Sequence, residues 1–98
     1  MERFGSAETR LVWEGKDTKA TRRVIPVNLF DKARRLISFA LEAQRPDDCA
    51  VFADFKMLHG QMRGWYQFRI GGPYRVRFQW ADGKTVMVTV GDFHDEDK

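Results

Sequence analysis

One cysteine and three prolines stand among 98 residues. A lone thiol, Cys49, closes no internal disulfide, which excludes a secreted disulfide scaffold and predicts a reducing, cytoplasmic setting. It also excludes a structural zinc site built on cysteine pairs. No apolar run approaches the ~18 residues a membrane helix needs. The opening Met1-Glu2-Arg3-Phe4-Gly5 lacks the apolar stretch of a secretory signal, so no membrane association is expected. There is no internal repeat, no low-complexity stretch and no linker. Gly71-Gly72 stands before Pro73 in a turn, so it is no nucleotide-binding loop. The two histidines, His59 and His94, form no helical pair and match no metal-ligand spacing, so neither metal nor other cofactor is expected. Cys49 has no evident histidine neighbour and no Ser/His/Asp arrangement suggests itself, which argues against nucleophilic catalysis.

What is present is an ordinary globular composition, 43% hydrophobic and 32% charged. A chain of this length buries roughly 65% of its unfolded surface, enough for one modest core, so residues 1–98 are expected to form one domain. Net charge is +3. It is unevenly spread: residues 50–91 carry six basic and two acidic side chains, net +4, whereas 92–98 are net −3. A basic segment with few acids attracts a polyanion, or merely keeps a sheet face soluble.

The order is helix-rich first, strand-rich second. Met1–Phe4 reads as a short edge strand. Thr9–Glu14 reads as helical turn or strand, ended by Gly15. Lys16–Arg23 is basic and polar, a loop or a frayed helix start. From Pro26 to Gln44 the sequence predicts a helix, with Leu29, Ala33, Leu36, Ile37, Ala40 and Leu41 as one apolar stripe. Phe39 lies off that stripe. Pro46 stops the helix, and a second short helix is expected from Asp47, capped by Asp47 or Asp48, with Cys49 as inert packing.

From Gly64 the period becomes two. Tyr66, Phe68 and Ile70 alternate with Gln67 and Arg69. Tyr74, Val76, Phe78 and Trp80 alternate with Arg75, Arg77 and Gln79. Val86, Val88 and Val90 alternate with Met87 and Thr89. Asp82-Gly83 marks a hairpin. The prediction is an α+β domain with helices on one face of a twisted, mainly antiparallel sheet.

The other face then collects Arg69, Arg75 and Arg77, pointing to solvent with no acid among them. Arginine suits phosphate, because its planar fork donates two hydrogen bonds at once. His59 precedes the meander and His94 follows it; in extended chain Asp92 and His94 point to one side, so the carboxylate can orient the ring. The alternative is two exposed loop histidines without a role. Most aromatic side chains fall on the core face, Trp65 excepted, so they suit packing rather than base stacking. One chemistry fits these parts: RNA cut without metal by its own 2′-hydroxyl. That reaction needs a base, an acid and cations over the charged phosphorane.

Phe55-Lys56-Met57-Leu58-His59-Gly60, Tyr66-Gln67-Phe68-Arg69-Ile70, Tyr74-Arg75-Val76-Arg77-Phe78-Gln79-Trp80 and Asp92-Phe93-His94 follow one another in order and spacing. Together they resemble the HigB branch of the RelE/ParE toxin superfamily. Val12-Trp13-Glu14-Gly15-Lys16 and the Pro26 helix resemble it more weakly. The resemblance implies a fold similar to small microbial ribonucleases and cleavage of mRNA on the translating ribosome. It implies a cognate antitoxin, a helix-turn-helix protein of HigA type, with operator DNA reached only through it. It implies catalytic roles for His94, Asp92, His59, Lys56 and Arg75, and Arg69 matches a common family arginine; Arg69, Arg77 and Arg63 are expected to contact phosphate.

Two departures stand out. Lys56 occupies the family's histidine position and His59 its lysine position. Phe93 replaces the family tyrosine, so that hydroxyl is absent. The acidic Asp95-Glu96-Asp97-Lys98 also runs past the usual end. Two alternatives follow from the same resemblance: a ParE-like inhibitor of DNA gyrase, or an inactive toxin kept for antitoxin binding.

Overall fold

Ser6 opens the first helix, α1 (Ala7–Trp13), by accepting the Thr9 backbone N–H on its side-chain oxygen at 3.2 Å. That cap satisfies an otherwise orphaned donor and decides the segment for helix over strand. The computed structural model describes residues 3–45, 48–49 and 54–93.

Helix α2 (Lys19–Val24) falls where the sequence suggested a loop or frayed start. The cause is a reciprocal cap: the Thr21 N–H donates to Thr18 Oγ1 at 3.2 Å, and the Thr18 N–H donates to Thr21 Oγ1 at 2.9 Å. Threonine thus fills the place usually held by Glu or Gln, which hides the signature. Pro26 opens a 3₁₀ turn (Val27–Leu29), and helix α3 runs Phe30–Glu42. The expected helix therefore starts four residues later and ends two earlier. Its stripe buries Phe30, Ala33, Leu36, Ile37 and Ala40.

The sheet is antiparallel in the order β1-β2-β3-β4: β1 (Lys56–Met57), β2 (Trp65–Gly71), β3 (Tyr74–Ala81) and β4 (Lys84–Asp92). β1 lies in what the sequence reads as a loop, because two residues carry no periodicity. Asp82 (φ 54°) and Gly83 (φ 77°) form the two-residue turn between β3 and β4. Both left-handed angles match the right-handed strand twist, and Asp and Gly tolerate them.

The register slips once. Arg77 pairs with Thr89, but Gln79 pairs with Val86, so β4 carries one residue more than β3 there, with Met87 at φ 58°. A bulge reverses the alternation. Thr85 therefore faces α3 and donates its hydroxyl to the Ala40 carbonyl at 2.6 Å. Val86, expected beside Val88 and Val90, turns to the opposite face instead. The free edge of β4 takes the chain's start: Val88 N–H donates to Arg3 O at 2.9 Å, and Gly5 N–H to Val88 O at 2.7 Å. The expected edge strand is thus a single parallel bridge at Phe4, with Met1 and Glu2 outside the described residues. Gly5 permits this approach, since a side chain there would collide with Thr89 Oγ1.

Val12, Ile25, Ile37, Phe68, Val76 and Phe78 anchor a core between the helices and the sheet. Phe55 closes one end of it, its ring 5.4 Å from Phe68 and 5.9 Å from Tyr66. The result is α+β. Among the described residues no helix is long and apolar enough to cross a membrane.

The short helix expected from Asp47 falls on residues largely outside those described. Asp48 closes the turn behind α3, its carboxylate accepting the Gln44 and Arg45 N–H groups at 2.9 and 3.3 Å. Cys49 is 2% exposed, and burial pushes its thiol up to about 11. The unfolded chain ionises this thiol first, so its contribution to stability is present below about pH 9 and disappears as pH rises toward 11. A thiol reagent at pH 7.5 should label the folded protein roughly 100-fold more slowly than the unfolded chain. Equal rates would place the thiol at the surface.

Candidate functional site

Partners across an antiparallel ladder share a face, so the register builds the second face of the sheet row by row. Lys56 pairs with Gln67, Gln67 with Arg77 and Arg77 with Thr89. One step along, Arg69 pairs with Arg75, and Arg75 with Gly91. One step the other way, Trp65 pairs with Gln79, and Gln79 with Val86. Strands lie about 4.8 Å apart and same-face residues about 6.6 Å along a strand, so Lys56, Arg69, Arg75 and Arg77 fit within a patch roughly 10 Å across.

These cations are not equivalent, and the expectation of three solvent-facing arginines needs correcting. Arg69 and Lys56 are exposed. Arg75 is 9% and Arg77 only 1% exposed. The Arg75 guanidinium donates to the carbonyls of Gly72 at 2.6 Å and Tyr74 at 3.1 Å, which ties it to the β2–β3 turn. Arg77 donates its Nε–H to Gln67 Oε1 at 3.1 Å, and its Cζ sits 4.4 Å from the centre of the Phe93 ring. Gln67 is itself buried. Phe93 reaches this position because its N–H donates to Pro73 O at 3.1 Å. Gly91 lies beneath the ring, where an added side chain would meet it at 3.5 Å. A buried guanidinium is costly unless it is hydrogen-bonded, and the amide and ring supply such contacts.

His59 and Arg63 are exposed on either side of the 3₁₀ turn Gly60–Met62, beside the Trp65 end of β2. Asp92 pairs with Tyr74 at the other end, on the helix-facing side of the sheet. From the Trp65 level to the Gly71 level is six strand rises, about 20 Å. The structure therefore gathers Lys56 with the arginines and keeps His59 away from Asp92. His94 lies outside the described residues. Sequence reasoning missed Gln67 and the packing of Phe93. The polar Gln67 at an arginine-face position was the available signal for the first. Among the described residues no group of three or more His, Cys, Asp or Glu is placed to hold a metal.

No family model matches the chain. Toxin HigB-1 of Vibrio cholerae serotype O1 (strain ATCC 39315 / El Tor Inaba N16961) is 32% identical to it over 63 residues, covering 62% of this chain. The chain is similar to this toxin over that stretch. It spans 66% of that relative's length, just under two thirds. In this chain the second face of the sheet carries the cations, and the Phe93 ring covers part of it.

Proposed function

We propose that this chain is the toxin of a type II toxin–antitoxin pair and acts as a metal-independent endoribonuclease on mRNA engaged by the ribosome. The observation that carries this reading is the patch of Lys56, Arg69 and Arg75, three cations on adjacent strands of one face, with the buried Arg77 beside them. Among the described residues no acid shares those rows. Such a patch holds a phosphate and stabilises charge that develops on it.

In the proposed reaction a base takes the proton of the 2′-hydroxyl, and the O2′–P bond forms. The P–O5′ bond then breaks, and an acid protonates the leaving oxygen. The products are a 2′,3′-cyclic phosphate and a 5′-hydroxyl end. His94 is assigned to proton transfer, with Asp92 orienting it from the end of β4, on the side of the sheet opposite the cation patch. Lys56 stands one row from Arg75 and takes the charge-stabilising role at the phosphate. His59 and Arg63, at the far end, contact flanking RNA, where Trp65 offers a ring for stacking. The partner is an antitoxin of helix-turn-helix class, which carries any contact with operator DNA.

Mapping of 5′ ends in cellular RNA after brief induction tests the reading. New 5′-hydroxyl ends inside coding regions are expected. Growth arrest with intact mRNA and a DNA-damage response would replace the nuclease by a gyrase inhibitor. A folded, expressed protein giving neither arrest nor new ends would leave an antitoxin-binding module. Replacing Lys56 and Arg69 together by alanine should also lower the slope of log affinity against log salt by about 1.4 for single-stranded RNA. An unchanged slope would remove both from the phosphate contacts.

A further inference from the structure

We infer that Phe93 and Arg77 form a clamp that fixes where the chain leaves the sheet, and that both are positioning residues rather than RNA ligands. Arg77 is 1% exposed and has the Phe93 ring over its guanidinium, so RNA does not reach it in this arrangement. Each side of the contact is held independently. Gln67 orients the guanidinium from below through Nε. Pro73 O holds the Phe93 backbone from the β2–β3 turn, and the ring packs beside Gly91. A ring face over a cation adds attraction that an aliphatic side chain of similar size lacks. His94 is bonded directly to Phe93, so the clamp fixes the backbone from which that histidine starts. Only this last step rests on the nuclease reading.

The direct test is NMR spectroscopy of the full chain. With the guanidinium over the ring, the Arg77 Nε–H signal should be shifted upfield and exchange slowly, and the Phe93 amide should be protected. Phe93→Leu keeps the bulk and should remove the ring shift and speed both exchanges, whereas Phe93→Tyr should retain them. If Phe93→Leu leaves the Arg77 signal and the Phe93 exchange unchanged, the clamp does not exist.

The kinetic arm reads RNA cleavage. Misplacing a reacting group by about 1 Å can cost up to 10²-fold, so Phe93→Leu should lower kcat by about 10–100-fold. KM and the salt slope should stay unchanged, and Phe93→Tyr should keep wild-type kcat. Arg77→Lys keeps the charge but loses the fork that bonds Gln67, and it should behave like Phe93→Leu. A raised KM with a shallower salt slope in Arg77→Ala would make Arg77 a phosphate ligand and overturn the assignment. If the wild type cleaves no RNA, the nuclease reading fails, and the spectra alone decide the clamp.

Discussion

On the proposed nuclease reading, replacing His94 by alanine is expected to abolish the new 5′ ends expected of the wild type, and with them the growth arrest. General acid–base catalysis contributes typically 10²–10⁴-fold, so a loss within that range turns a toxin at low expression into a tolerated protein. The thermal midpoint of the variant, measured in parallel, is expected to match the wild type. His59→Ala provides the contrast. His59 stands about six strand rises from the Asp92 level, too far to share one phosphate with a group held there. Its loss should weaken RNA binding and leave kcat nearly intact. Full toxicity in His94→Ala would sink the assignment of that histidine. A kcat loss in His59→Ala equal to that in His94→Ala would mean that the loop closes over the sheet when RNA binds.

Phe78→Ala is expected to unfold the protein at or near working temperature. Phe78 is fully buried, with ring centres 5.6 Å from Tyr66, 5.9 Å from Phe68 and 6.4 Å from Phe55. Truncating a buried phenylalanine costs about 3–5 kcal/mol through lost transfer energy and the cavity left behind. Total stability in small domains is roughly 5–15 kcal/mol. At about 4–8 °C per kcal/mol, the midpoint should fall by roughly 15–30 °C. Val27→Ala is the control: Val27 is 55% exposed, and its loss should stay within about 0.5 kcal/mol. A Phe78→Ala change below about 1 kcal/mol would mean that the aromatic cluster repacks around the gap.

Much of the frame is legible from local pattern. The alternation from Tyr66 to Trp80 and the Asp82-Gly83 turn mark two strands and a hairpin, since period two and paired left-handed angles are properties of a few neighbouring residues. The α3 stripe is legible for the same reason. The α2 helix is less so, because Thr21 caps it in a place where Glu or Gln is usual. β1 is not legible at all: two residues become a strand only because Gln67 and Tyr66 lie beside them.

The sequence alone therefore determined the α+β class, the main helix, the meander and the collection of Arg69, Arg75 and Arg77 on one side. Each follows from spacing that neighbouring residues carry themselves. Tertiary structure alone decided which of those arginines meets solvent. Arg77 and Arg69 are indistinguishable by alternation, yet Phe93 lies over one and not the other. It likewise decided that Val86 leaves the core face, because the slip at Met87 depends on how two strands pair. It decided too that His59 and Asp92 stand at opposite ends of the sheet. Burial and proximity depend on chain that returns from elsewhere, and no local period encodes where it returns.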